Sequence, residues 1–221
     1  MTVGIEFQWA VCPEGAAIVD HGPGKPTPAG VTVLTGELRG RWLTNRTKNL
    51  VGYRRHLTDL KSGTMLESFI NADTDEKLLA FVSEFGMVGT VELDHKESAI
   101  EGPREYQAAF KRLFDHAGQG EQLQAIEVFN SISASAKGTA LKPSLSLPYG
   151  QATPIMTFTP KTPYGYMLME ASMAISNATE LRTCQHCGTA FFAGALTSKR
   201  TNAYYCSNRC RVAAQRAAAK V

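Results

Sequence analysis

The sequence predicts an α+β chain: a mixed domain over residues 1–180, with a strand pair or hairpins and about five helices, and a small cysteine-rich module over residues 181–221. Three observations predict it. Apolar residues alternate with polar ones near the start and again around residue 155, the period of half-buried strands. Between them, and after residue 162, apolar residues recur at helical spacing. Near the end, Cys184, Cys187, Cys206 and Cys210 fall in two close pairs.

At 221 residues the chain has room for one medium domain and a small module. An apolar share of 43% is enough for a core, which excludes a disordered protein. Val3, Ile5, Phe7, Trp9 and Val11 alternate as a strand, and Cys12 behind them reads as a small buried hydrophobe. Residues 13–30, with Gly22-Pro23-Gly24-Lys25-Pro26, read as a loop. They lack the Gly-Lys-Ser/Thr ending of a phosphate loop. Residues 31–38 offer a second strand.

Residues 41–62 are basic and irregular in pattern: Arg41, Arg46, Lys48, Arg54, Arg55, His56 and Lys61. With Trp42 and Tyr53 among them they could touch nucleic acid, although such runs are more often solvated faces. His56 and Asp59 would share a helical face, but no nucleophile accompanies them.

Helices are expected over residues 64–71, from Asp73 with Glu76 as a capping box, from Gly102-Pro103 to Gly118, and over residues 122–132. Their stripes (Leu78, Phe81, Val82, Phe85; Tyr106, Phe110, Leu113, Phe114; Leu123, Ile126, Phe129, Ile132) read as core. A hairpin follows, with Leu145 and Leu147 before a turn at Pro148-Tyr149-Gly150 and Ile155, Thr157 and Thr159 after it. Thr162-Pro163 then starts a methionine-rich helix through about Thr179, either core or a ligand or dimer contact. A homodimer is accordingly one expectation.

The cysteines read C-x2-C, eighteen residues, C-x3-C. Two close thiolate pairs suit tetrahedral zinc, and four of them leave no open position, so the expected Zn2+ is single and structural. The alternatives are two disulfides or free thiols, and His186 could replace one cysteine. Gly188 permits the turn after the first pair. Ser207 is a candidate N-cap, with an alanine-rich helix behind it. A turn carrying one pair and a helix start carrying the other is a treble-clef arrangement. Phe191 and Phe192 are expected to pack beside the metal, because so short a module has little other core.

Cys184-x-x-Cys187-Gly188, an aromatic soon after, Lys199-Arg200 and Tyr205-Cys206-Ser207-x-x-Cys210-Arg211 resemble the C-terminal CGNR-type zinc finger of a large group of bacterial proteins. After Cys210 this chain has Arg211-Val212-Ala213 where that family has Gly-Asn-Arg. Leu78-Leu79-Ala80-Phe81 and Phe85-Gly86-Met87-Val88-Gly89 are similar to a short block in the same group's N-terminal regions. The resemblance implies a nucleic-acid-binding, transcription-regulatory role.

Charge points the same way. The chain carries +3, residues 181–221 contribute +7 with no Asp or Glu, and the rest is therefore −4. A basic tail on an acidic body is the footprint of a phosphate-binding module such as one for DNA. On the last helix Arg209, Arg216 and Lys220 fall within about 40° of one another, as phosphate contacts, with Arg211 and Gln215 on another side as candidates for base edges. The competing class is a structural or protein-interaction finger. No paired carboxylates, nucleophile–base set or cofactor loop suggests an enzyme. The start Met1-Thr2-Val3-Gly4 has no basic head or apolar run, so neither a signal peptide nor a membrane partner is expected, and the location reads as cytoplasmic.

Overall fold

The computed structural model describes residues 6–20, 41–46, 51–56, 64–88, 97–135, 141–146, 155–160, 162–195 and 197–219. Their elements run β1 (Glu6–Val11), β2 (Ala16–Asp20), β3 (Arg41–Asn45), β4 (Val51–His56), α1 (Met65–Ile70), α2 (Asp75–Phe85), β5 (Glu97–Ala99), α3 (Glu101–Gly118), α4 (Gln122–Ser135), β6 (Leu141–Ser146), β7 (Ile155–Pro160), α5 (Pro163–Ser176), β8 (Glu180–Thr183), β9 (Ala190–Ala193) and α6 (Asn208–Ala218). The fold is α+β, as expected. None of these helices is long and apolar enough to cross a membrane.

Strand pairing is antiparallel throughout: β1 with β4, β2 with β3 with β5, β6 with β7, and β8 with β9. Two expectations are corrected here. The loop over residues 13–30 contains β2, where Ile18 lies opposite Leu43 and Val19 opposite Trp42. The irregular run over residues 41–62 contains β3 and β4, so Arg54, Arg55 and His56 sit in a strand opposite Gln8, Phe7 and Glu6. Arg54 and Arg55, directly after Val51 and Tyr53, had hidden the alternation. The expected strand over residues 31–38 and Asp59 lie outside the described residues.

α5 is the axis of the core. Tyr164, Met167, Leu168, Ala171 and Ala174 are all buried. Tyr164 packs on Tyr106 of α3 at 4.2 Å between ring centroids, and its hydroxyl donates to the Ile132 carbonyl of α4 at 3.0 Å. The methionine-rich helix is therefore core at Met167, while Met169 and Met173 are half-buried.

α1 has only six residues, too few to persist alone, and its neighbours hold both ends. Thr64 caps it, accepting from Glu67 N–H at 2.8 Å. Buried Glu170 of α5 accepts the N–H groups of Met65 and Leu66 at 3.2 and 2.7 Å, a carboxylate at a positive helix end. Buried Gln107 of α3 donates to the carbonyls of Phe69 and Ala72 at 2.6 and 2.8 Å, beyond the other end. An ion-pair cluster of Arg41, Asp75 and Arg104 ties β3, α2 and α3 on the surface.

Two helix expectations also shift. α2 is capped by Thr74, not Asp73: Thr74 Oγ1 accepts from Lys77 N–H at 3.3 Å, while Asp73 pairs with Lys77 Nζ at 2.7 Å. In α4, Leu123 and Ile126 are 74% and 52% exposed, while Ala125 and Ile132 are buried. An i+3 row slips about 60° per step, so Leu123 and Ile132 end on opposite sides of the helix. The straighter row of Ala125, Val128, Phe129 and Ile132 faces the core.

Candidate metal centre

The centre is built on β8 and β9, in which Leu181 lies opposite Phe192 and Arg182 opposite Phe191. Strand side chains alternate between faces. Phe191 and Ala193 are buried together with Cys184, packed by Ala203, Tyr205, Cys206 and Cys210. Phe192 points the other way and belongs to the body's core, with Leu181 and Ala190 beside it. Its ring meets Phe114 of α3 at 5.0 Å, edge to face. The expectation that both phenylalanines pack beside the cysteine site is corrected: Phe191 does, and Phe192 does not. Lys199 Nζ sits 5.6 Å over the Phe191 ring.

The strand pair is also bonded to α1. Asn71 Nδ2 donates to the Ala190 carbonyl and Ala190 N–H donates to Asn71 Oδ1, both at 2.8 Å. Phe192 N–H donates to Glu67 Oε2 at 3.3 Å. Beyond β9, Gly194 has φ +140° and lies against Thr179, where a Cβ would come within 3.1 Å of the Thr179 Cα. The chain that leaves β9 thus crosses back onto the chain that enters β8. Residue 180, the end of the expected first domain, is the first residue of β8, so the boundary runs through packed and bonded structure.

β8 delivers Cys184 to the knuckle. Gly188 N–H donates to the Cys184 carbonyl at 2.9 Å and Cys184 N–H to the Thr189 carbonyl at 2.9 Å. Gly188 has φ +73°, which a side chain would disfavour. Gln185 N–H donates to the Tyr204 carbonyl at 3.0 Å and brings the second segment alongside. Ser207 then caps α6 as expected, its Oγ accepting from Cys210 N–H at 3.2 Å.

All four sulfurs lie within 4.8 Å of one another. Cys187 and Cys206 are 3.6 Å apart, and Cys206 and Cys210 3.5 Å. The structure gathers the four cysteines named from the sequence, and they can hold a metal ion. His186 is exposed and outside this set, as is Cys12, which is buried. The sulfurs polarise one another. Burial pushes the Cys184 thiol up, but N–H groups of Cys206, Cys187 and His186 and the Cys187 side chain pull it further down, to about 6. The Thr189 hydroxyl and N–H lower Cys187. Burial and then the thiols of Cys210, Cys187 and Cys184 push Cys206 up to about 12. Negative charge on one sulfur opposes it on the next, and a bound cation removes that conflict.

α6 buries no residue completely. Cys210, Ala213 and Ala214 are half-buried on its inner side. Arg209 and Arg216 lie on one edge of the outer side and Arg211 and Gln215 on the other, about 100–160° across, with Val212 between them, 37% exposed. All four polar residues are exposed. Lys220 lies outside the described residues. Asn71, Glu67, Glu170 and Gln107 carried no signal in the sequence, because each reads as an ordinary helix residue or cap. No known protein-family model matches the chain, and no curated protein matches it.

Proposed function

We propose that the chain is a bacterial, cytoplasmic DNA-binding protein with a transcription-regulatory role, holding one structural zinc ion at Cys184, Cys187, Cys206 and Cys210. Zinc–thiolate bonds of about 2.3 Å imply sulfur–sulfur edges of about 3.8 Å, near the separations at Cys187, Cys206 and Cys210. The observation that carries the reading is the outer side of α6, where Arg209, Arg211 and Arg216 are exposed on a module without a single acid. Among the described residues, the ion pairs involve none of them. Arg209 and Arg216, with Lys220 in sequence, are the phosphate contacts, and Arg211 and Gln215 reach base edges. The resemblance to CGNR-type fingers supports this role, and the reading assigns no catalytic chemistry.

A second reading, a protein-interaction finger, draws on exposed Val212 and Tyr204. Titration of the zinc-loaded chain with random-sequence DNA at stepped salt separates the two. Each phosphate contact adds about 0.9 to the slope of log affinity against log salt. Changing Arg209 and Arg216 to Ala is expected to lower that slope by roughly 2. Absence of binding at low salt, or an unchanged slope, favours the protein-interaction reading.

A further inference from the structure

Tyr204 and Tyr205 are adjacent but placed oppositely. Tyr205 packs against the cysteine cluster, whereas Tyr204 is 57% exposed. Nothing in the core accounts for the Tyr204 ring. Its backbone is nonetheless held: its carbonyl accepts Gln185 N–H at 3.0 Å, and Ala203 N–H closes a turn onto the Arg200 carbonyl at 3.0 Å. It comes two residues before the ligand Cys206. The ring is thus mounted on the rim of the metal site rather than on a long loop. Exposed Gln185 and His186 belong to the knuckle that bonds the Tyr204 carbonyl, exposed Arg200 closes the turn before it, and exposed Arg209 and Arg211 flank Cys210 in the first turn of α6.

An exposed aromatic on a held backbone, in a module whose charged residues are all cations, has the chemistry of a base-stacking platform: the ring takes a base face, and the guanidinium groups take the backbone. In a duplex the base faces are already covered by their neighbours, so the ring has no face to meet. In a single strand they are open. Holding the backbone beneath the ring in place also reduces the ordering cost of binding.

We infer that the module prefers single-stranded nucleic acid, DNA or RNA, with one base stacked on Tyr204 and the flanking phosphates held by Arg200 and Arg209. The inference rests on the nucleic-acid reading above and narrows its substrate. Phosphate contacts serve duplex and single strand alike, and Tyr204 adds affinity for single strands alone.

The test uses the zinc-loaded full chain and a labelled mixed-sequence oligonucleotide of roughly 16 nucleotides, the upper end of single-strand site sizes. Fluorescence anisotropy compares the DNA strand, the same strand as RNA, and the DNA duplex. At least one single strand is expected to bind more tightly than the duplex. Tyr204→Ala is expected to lose roughly five- to a hundredfold on that strand, the range of one base–aromatic stack, with duplex binding unchanged. Tyr204→Phe, which keeps the face, is expected to retain the affinity. Zinc content and far-UV circular dichroism confirm that each variant is folded. Duplex binding equal to or tighter than both single strands overturns the inference and leaves the nucleic-acid reading standing, as does an unchanged Tyr204→Ala. Absence of binding to all three overturns both and assigns the exposed ring to a protein contact.

Discussion

Asn71 and Ala190 exchange a reciprocal pair of hydrogen bonds, each 2.8 Å long, across 119 residues of sequence. The side-chain amide of a helix cap acts toward β9 as a neighbouring strand's backbone would, offering one donor and one acceptor. It fixes the height at which the strand pair β8 and β9 meets α1.

Asn71→Ala leaves the Ala190 N–H and carbonyl without these partners in a half-buried place. The expected loss is about 1–3 kcal/mol in urea unfolding, the cost of unpaired polar groups. Asn71→Asp keeps the acceptor but sets a carboxylate oxygen against a carbonyl, and is expected to be no better than alanine. Wild-type stability in both variants would remove the bond pair from any part in docking the module.

Phe191 and Phe192 are expected to fail differently. Phe192→Ala removes a ring from the body's core beside Phe114 and should cost about 3–5 kcal/mol. Phe191→Ala opens the packing around Cys184 and should mainly weaken metal retention against a chelator. A chain cut after residue 180 loses Phe192 and Leu181 from the core and is expected to melt well below the full protein. Equal melting temperatures would mean that the first 180 residues are self-sufficient.

What the sequence made legible was local. The four cysteines, the Ser207 cap, and the stripes of α3 and α5 each depend on residues a few positions apart, where geometry is set by the chain itself. The three-stranded sheet was not legible, because β3 finds β5 some fifty residues later and β5 is only three residues long. The α4 stripe was misphased because a row at i+3 spacing looks apolar in sequence yet winds around the helix. Phe192 was misplaced for a different reason. Alternation shows that Phe191 and Phe192 face apart, but not that a second core waits on the far side. Buried Glu170 at the start of α1 shows the same gap, since only the packed fold shows what a carboxylate in the middle of α5 is for.

Glu67 gives the body–module contact a pH dependence. Burial raises its carboxyl above the usual 4.5, and the Phe192 N–H and Lys199 only partly offset this. A carboxyl whose folded value is raised binds its proton more tightly when folded. Its stabilising contribution is therefore full below the unfolded value and is lost as pH rises through the folded value. Glu67→Gln keeps the Phe192 N–H acceptor without the charge. It is expected to match the wild type in acid and to be more stable at neutral pH. Parallel melting curves across that range would show that Glu67 titrates as it does in the unfolded chain.

Metal removal should be felt on both sides of the strand pair. The four sulfurs join the knuckle to the start of α6, and the metal is expected to provide most of what holds that junction, since α6 buries no residue completely. Zinc is worth roughly 10–16 kcal/mol in isolated finger peptides. Its loss should therefore melt α6 outright, seen as reduced helicity on chelation or in Cys206→Ser. β8 and β9 face a different balance, because Phe192, Leu181 and the Asn71 bonds hold them from the body side. They should loosen without leaving. The chain's two tryptophans, Trp9 and Trp42, lie in β1 and β3, so their fluorescence reports the body and not the module. If the shared strands transmit about 2 kcal/mol of the lost stability, the tryptophan-detected melting temperature should fall by roughly 4–8 °C in a domain of this size. Asn71→Ala combined with Phe192→Ala should shrink that response to chelation, because the link itself is gone. A melting temperature that ignores the metal in the wild type would show that the body and the module fold independently, despite sharing Phe192.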